Sequence, residues 1–131
     1  MRHLSARQGE SLKQRLEERA ATLRAEISAA LRQQDTPDTL HLANRLAETG
    51  DDALADLEIS LDIASVERDM RELRQVVAAL ERIGKESFGV CEDCTAPIPF
   101  ARLEVEPAAL RCMPCQERFE RGHALSGRSS L

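Results

Sequence analysis

Four cysteines in the last third of the chain carry the clearest chemistry in this sequence. They form two C-x2-C pairs separated by 17 residues: Cys91, Cys94, Cys112 and Cys115. Each pair lets two thiolates converge on one ion, and two such pairs at this spacing are typical of zinc sites. Four thiolates complete a tetrahedral shell and leave no position for water or substrate. The spacing therefore predicts one structural Zn²⁺ and argues against catalytic zinc.

Two other uses of this cysteine cluster stay open at the level of sequence. A thiol switch would release zinc on oxidation, and a nucleic-acid-binding zinc finger would contact phosphates. Residues 84–131 hold six Lys and Arg against seven Asp and Glu, and the whole chain has a formal charge of −5. Because a basic excess supplies most of the sequence-independent affinity for nucleic acid, we expect no direct specific DNA binding.

Helices must position the cysteines, because the 131-residue chain has only three Phe, no Trp and no Tyr. Apolar residues recur at spacings of three and four over residues 11–34 and again over residues 51–83. The first set is Leu12, Leu16, Ala20, Leu23, Ile27, Ala30 and Leu31. The second is Ile59, Ile63, Val66, Met70, Leu73, Val77 and Leu80, which has the heptad spacing of a coiled coil. Two long helices are predicted.

A bend joins these helices. Pro37 ends the first helix, a short weak helix follows over residues 38–47 with Asp35 or Thr36 as its cap, and Gly50 ends it. The pair would form an antiparallel coiled-coil hairpin, an arm of roughly 45 Å at 1.5 Å per residue. A three- or four-helix bundle, closed by dimerisation, is the alternative that periodicity leaves open.

The bend also holds the densest negative charge of the chain. From Leu46 to Ile63 there are six acidic residues and no Lys or Arg. Asp51 or Asp52 can cap the second long helix, where a carboxylate suits the positive end of the helix dipole. Capping accounts for one carboxylate and leaves the others to be explained.

We therefore predict a mainly α protein in four parts. These are an N-terminal segment (1–10), a helical hairpin with its acidic tip at about 35–53 (11–83), a four-cysteine zinc module with a short C-terminal helix over 116–121 (84–121), and a flexible tail (122–131). No apolar run is long enough to span a membrane, and we expect a cytoplasmic location. The three histidines are far apart and are interpreted as ordinary exposed residues. No catalytic constellation is present, so an enzyme is not expected.

The combination of an acidic helical hairpin with F-G-x-C-x2-C, a 17-residue spacer and C-x2-C resembles the DksA/TraR family of bacterial zinc-containing transcription regulators. The resemblance covers residues 40–121 and is most specific at residues 88–91, 97–103 and 111–115. It implies a protein that binds bacterial RNA polymerase and not promoter DNA. The coiled coil would enter the secondary channel, bring its tip near the catalytic Mg²⁺, and modulate initiation.

The resemblance also assigns residues. The four cysteines match the zinc ligands, and Asp51 and Ala53 match the tip motif, with Asp52 between them. Arg68 matches a basic position that contacts the polymerase. Glu48 stands where the family has an aspartate, and Thr95 stands where a glycine is common.

Departures at four further positions bear on the alarmone ppGpp. Members that respond to ppGpp supply an apolar contact or positive charge at the positions of Glu72, Gln75, Glu106 and Gln116. Two carboxylates at these positions would repel a guanosine tetraphosphate. The resemblance therefore implies weak or absent ppGpp synergy.

Overall fold

The computed structural model describes residues 3–49 and 64–129 and is mainly helical, which confirms the predicted fold class. Its helices are α1 (Ala6–Gln34), α2 (Pro37–Thr49), α3 (Ala64–Arg82), α4 (Phe100–Val105) and α5 (Met113–Ser129). Within the described residues, no helix is both long and apolar enough to cross a membrane. The predicted break at Gly50 and helix start at Asp51 or Asp52 lie outside these residues.

Helix α1 begins five residues before the predicted start at Ser11. Ser5 is the N-cap: its hydroxyl accepts from the Gln8 N–H at 3.0 Å, while the Gln8 side-chain oxygen accepts from the Ser5 N–H at 2.9 Å. This reciprocal pair is a capping box, which satisfies two backbone donors at the helix start. The helix therefore includes most of the segment that we separated as residues 1–10.

The junction between α1 and α2 follows the predicted chemistry. Asp35 adopts a left-handed conformation (φ 50°, ψ 41°) and its N–H donates to the Arg32 carbonyl at 3.1 Å. Thr36 caps α2 by accepting from the Thr39 N–H at 3.1 Å, and Pro37 takes the first helical position, where its missing N–H costs nothing. Helix α2 extends two residues beyond the predicted end, to Thr49.

Helix α1 packs against both α2 and α3 along one buried stripe. The stripe consists of Gly9, Leu12, Leu16, Ala20, Leu23, Ile27 and Leu31. Its partners on α2 are Leu42, Ala43 and Leu46. Because the start of α1 and the end of α3 both lie beside the cysteine module, α1 and α3 run antiparallel, as the hairpin prediction requires.

The buried seam of α3 departs from the predicted heptad in its second half. Val66, Met70 and Leu73 are buried as expected, but Val77 and Leu80 are only partly buried. The buried positions there are Val76, Ala79 and Ile83. An α-helix has 3.6 residues per turn, so a straight helix drifts about 20° per heptad relative to a 3.5-residue pattern. The contact face has moved to the neighbouring stripe by the end of α3.

Helix α5 is longer than the predicted segment 116–121, running from Met113 to Ser129. Pro114 lies in its first turn, a position compatible with proline because the N–H there has no partner to lose. A glycine inside a helix costs only about 1 kcal/mol relative to alanine, so Gly122 does not end it. The helix thus enters the segment predicted as a flexible tail.

Candidate metal centre

The four cysteine sulfurs lie together at one end of the helical arm. All four Sγ atoms are within 4.8 Å of one another, and Sγ of Cys94 is 3.7 Å from Sγ of Cys112. Zinc–thiolate bonds of about 2.3 Å place sulfurs about 3.8 Å apart in a tetrahedron. The donor set and its spacing therefore fit one Zn²⁺, held by four sulfurs.

The first cysteine pair is positioned by a tight turn. Residues Val90 and Pro97 form an antiparallel bridge, and the Ile98 N–H donates to the Gly89 carbonyl at 2.7 Å. Inside the turn the Cys91 N–H donates to the carbonyl of residue 96 at 2.9 Å, while its own carbonyl accepts from the N–H of residue 95 at 3.0 Å. These bonds hold the turn that carries Cys91 and Cys94.

The second pair lies at the start of α5. The Cys112 carbonyl accepts from the Gln116 N–H at 2.9 Å, so Cys112 sits at the helix entrance and Cys115 lies within the first turn. Arg118, one turn further, donates to Sγ of Cys115 at 3.1 Å. A guanidinium hydrogen bond to sulfur stabilises the thiolate form that a metal requires.

The surroundings of the two buried sulfurs push their pKa values in opposite directions. Burial opposes ionisation of Cys91, but N–H groups of Cys94, Cys112 and Asp93 favour its thiolate, and its pKa falls to about 6. Burial and the hydrogen bonds with the other three cysteines raise the pKa of Cys115 to about 12, against the opposing effect of Arg118. Full ionisation of the cluster therefore needs a cation, whose charge stabilises all four thiolates.

The cysteine module is attached to the arm through a small apolar core. Phe88, Ile98 and Leu103 are fully buried and belong to the same cluster as the α1 and α3 stripe. On the surface, Arg15 of α1 donates to the Glu104 carbonyl at 2.8 Å. Helices α1 and α3 supply the rest of the core on which the module packs.

His3 makes a contact that sequence reasoning missed. Although the residue is exposed, its Nε2 lies 2.8 Å from the Ile98 carbonyl oxygen, joining positions 95 residues apart. Its ring covers Gly89, which has φ +78°; a Cβ there would lie 3.1 Å from His3 Cε1 and 3.5 Å from Leu4 Cδ1. The glycine of F-G-x-C is therefore required both for its conformation and for this close approach. His41 is exposed, and the His123 side chain lies outside the described residues.

Thr95 is in a strained conformation, which gives a stability prediction. Its φ is +63°, a region that costs a non-glycine residue about 1–2 kcal/mol. We expect Thr95→Gly to stabilise the module by about 1 kcal/mol, offset in part by loss of the hydrogen bond from its hydroxyl to the Cys94 carbonyl at 2.6 Å. Thermal unfolding and chelator-driven zinc release would both measure this change.

The adjacent Ala96 supplies the control, because it is exposed and lacks a positive φ. Ala96→Gly should destabilise the same turn, since glycine there only adds freedom to the unfolded chain. A Thr95→Gly protein that unfolds at a lower temperature than its parent would contradict the strain argument.

The other predicted site residues fall in different places. Arg68 is exposed on α3. Glu48 lies near the end of α2, with its side chain outside the described part of the chain, and Asp51, Asp52 and Ala53 lie wholly outside it. The assignment of these residues to a tip site stays a prediction from sequence.

Three of the four ppGpp-related positions share one cleft of about 550 Å³ between the arm and the cysteine module. Glu72, Gln75 and Glu106 line it, whereas Gln116 lies on α5 and donates to Glu120 at 3.1 Å. Glu72 is held in a two-pronged pair by Arg19 of α1, with N···O distances of 2.5 and 2.7 Å.

The Arg19 hydrogen bond lowers the pKa of the Glu72 carboxyl, so this carboxylate is charged at neutral pH. Both side chains are more than 40% exposed, and solvent therefore limits the contribution of the pair to stability to about 1 kcal/mol or less.

Residues 86–121 match the family of the prokaryotic dksA/traR C4-type zinc finger. The chain is 33% identical over 75 residues to the RNA polymerase-binding transcription factor DksA of Caulobacter vibrioides, covering 57% of this chain and 53% of that protein. It is 32% identical over 70 residues to DksA of Escherichia coli K12, covering 53% and 46%.

A solved structure agrees with these matches. Transcription factor DksA2 from Pseudomonas aeruginosa superposes with a TM-score of 0.62 at 27% identity, covering 92% of this chain and 88% of that one. Residues 86–121 thus carry a zinc finger of the dksA/traR C4 type, and the chain as a whole is similar in fold to DksA2. It spans about half the length of the curated relatives that it matches.

Proposed function

We propose that this protein is a transcription regulator that binds bacterial RNA polymerase in the cytoplasm and modulates initiation without catalysing a reaction. Its arm would enter the secondary channel with the acidic stretch leading, while the zinc module stays at the other end. One observation carries the proposal: α1 and α3 pack antiparallel with the cysteine module at one end, and the sequence that connects α2 to α3 is acidic.

The dimensions and charge of the arm support this role. Helix α1 has 29 residues, which corresponds to roughly 43 Å at 1.5 Å per residue. Between Leu46 and Ile63 the sequence has six carboxylates and no base. Carboxylates at the end of a narrow helical arm can influence nearby polymerase groups through their charge and through hydrogen bonds, without catalysing a reaction. The curated relatives that match are named RNA polymerase-binding factors.

Zinc has a structural role in this proposal. Cys91, Cys94, Cys112 and Cys115 would hold one Zn²⁺ and close the module on the arm. The metal would supply folding energy and fix the two turns relative to each other, because four sulfur ligands leave no open coordination position.

The proposal is tested by measuring affinity for purified core RNA polymerase together with open-complex lifetime at a sensitive promoter. We expect saturable binding and a changed lifetime. Arg68→Ala should weaken binding by about three- to tenfold, the loss of one exposed charged contact. Arg71→Ala, an exposed arginine one turn further along α3, is the matched control. Absence of polymerase binding by the parent would refute the proposed function, and equal losses in both variants would refute the role of Arg68.

A weak response to ppGpp is the second part of the proposal. Three carboxylates line the cleft beside the arm against two arginines, so a ligand with several phosphates would meet an excess of negative charge there; the residues are Glu72, Glu104, Glu106, Arg15 and Arg19. We expect ppGpp to change the effect of the parent on open-complex lifetime by less than about twofold, which corresponds to ~0.4 kcal/mol. In vitro initiation with and without ppGpp measures this ratio.

A variant with the opposite charge pattern provides the comparison. Glu72→Leu, Gln75→Lys, Glu106→Arg and Gln116→Lys together replace two of these carboxylates and add three cations. This combined variant should gain synergy with ppGpp while its zinc content stays the same. Strong synergy in the parent would contradict the prediction directly.

A further inference from the structure

Arg111 makes several contacts around the cysteines to which the proposed function assigns no role. Its Nη2 lies 2.5 Å from Oε1 of Glu92, and its Nε donates to Oδ2 of Asp93 at 2.9 Å. Its guanidinium carbon also lies 3.9 Å from the centroid of the Phe119 ring on α5. One side chain therefore contacts both the first cysteine turn and the helix that carries the second pair.

Arg111 and its two carboxylate partners are neighbours of cysteines from different pairs. Glu92 and Asp93 are the two residues between Cys91 and Cys94, whereas Arg111 directly precedes Cys112. The ion pairs thus join the two cysteine pairs at a point other than the metal. Like a bound zinc ion, they link residues 91–94 to residues 111–115.

The arginine is also well fixed. Its side chain is only 15% exposed, compared with 44% and 47% for Glu92 and Asp93. Arg102 donates from Nε to the Arg111 carbonyl at 2.8 Å, which restrains the backbone at this position. A planar guanidinium held in this way can serve two carboxylates at once with little further loss of side-chain entropy.

The charge of Arg111 opposes the net negative charge of the zinc site. Four thiolates around one Zn²⁺ carry a net charge of −2, and Glu92 and Asp93 add two negative charges within the same turn. Without a cation beside them, these carboxylates would favour opening of the turn away from the metal. Arg111 neutralises part of this charge, and because Glu92 and Asp93 are partly exposed, salt should weaken the effect.

We propose that Arg111 is a positioning residue for the zinc site, which clamps the two cysteine pairs together and slows metal release. The proposal rests on zinc binding by the four cysteines. Its chemistry is the pairing of one guanidinium with two carboxylates across the site, with stacking on Phe119 as a third support.

The test compares zinc release from wild-type protein, Arg111→Met, Arg111→Lys and Arg121→Met, each loaded with one equivalent of Zn²⁺ and mixed with a chromogenic chelator. Outer-sphere partners of metal ligands typically change metal affinity by about 10- to 100-fold, so we expect Arg111→Met to release zinc about tenfold faster. Arg111→Lys should be intermediate, because an ammonium keeps the charge but lacks the fork. Arg121, an exposed arginine on α5, is the control.

Two readouts separate this clamp from a general loss of stability. Added salt between about 0.05 and 0.5 M should speed release from the wild type but not from Arg111→Met, since screening acts on the ion pairs. A Glu92→Gln, Asp93→Asn double variant should speed release by itself, because it removes the ion pairs. In the Arg111→Met background it should cause no further acceleration and should slow release, because it removes the carboxylates left without a cation. Helical circular dichroism should be equal in all zinc-loaded proteins.

Wild-type release rates in Arg111→Met would overturn the inference, as would equal acceleration in Arg121→Met. Full additivity of the carboxylate and arginine substitutions would do so as well, because it would show that these groups act independently. A wild-type protein that binds no zinc would instead refute the metal centre itself, and that result is visible before any variant is compared.

Discussion

Asp51→Asn is expected to remove most of the effect on transcription initiation, ~10-fold or more, while leaving polymerase binding almost unchanged. The substitution keeps the size of the side chain and removes one charge from the proposed tip. An exposed charge contributes up to ~1 kcal/mol to a contact, so affinity should stay within about fivefold of the parent. Open-complex lifetime and a direct binding titration would be measured on the same preparations.

Ala53→Thr should give the same separation of binding from regulation by adding bulk at the second tip position. Asp56→Asn, in the same acidic stretch, is the matched control: it removes one charge but leaves both tip positions intact. If Asp51→Asn and Ala53→Thr both regulate initiation like the parent, the tip assignment is wrong. If Asp56→Asn is as defective as Asp51→Asn, total charge and not position determines the effect.

Cys115→Ser is expected to abolish stoichiometric zinc binding and to open the cysteine module while the arm stays helical. Structural zinc contributes about 10 to 16 kcal/mol in small zinc-finger peptides, far more than the core formed by Phe88, Ile98 and Leu103 can replace. The α1 stripe packs on α2 and α3 independently of the sulfurs. We therefore expect new protease cleavage within residues 86–112 and only a small loss of helical circular dichroism.

Ala96→Ser, an exposed substitution in the first cysteine turn, controls for serine itself and should keep one equivalent of zinc. Treating the parent with a strong chelator should reproduce the cleavage pattern of Cys115→Ser. A Cys115→Ser protein that retains equimolar zinc and resists protease would show that three sulfurs suffice and that the proposed four-ligand shell is incorrect.

Local signals in the sequence predicted much of the fold. The apolar stripe of α1 is buried nearly as predicted, because apolar residues spaced at the helical period of 3.6 all lie on one face, and that face packs against the core. The start of α1 lies earlier than predicted, because the capping box of Ser5 and Gln8 contains no apolar residue and so adds nothing to the periodicity. On α3 a strict heptad predicted Val77 and Leu80, where the helix instead buries Val76 and Ala79.

The sequence likewise predicts some features of the candidate site and not others. C-x2-C spacing is a local pattern with one dominant chemical meaning, so it predicts that all four sulfurs converge, and the structure brings them together. The contacts of Arg111 with Glu92 and Asp93 depend on how two turns are oriented, which spacing does not specify. The bond between His3 and Ile98 spans 95 residues and has no local signature at either end.

The position of α1 at the centre of the packing has a consequence for synthesis on the ribosome. Its amino-terminal half lies beside α3, where Arg19 pairs with Glu72, 53 residues later in the chain. At translation rates of ~5–20 residues per second, this half of α1 waits roughly 3 to 11 s for its partner. The half near Leu31 is covered sooner, because α2 follows directly. Assembly should therefore begin at the α1–α2 junction and reach the zinc module last, which makes the nascent amino-terminal half of α1 the segment most in need of chaperone protection.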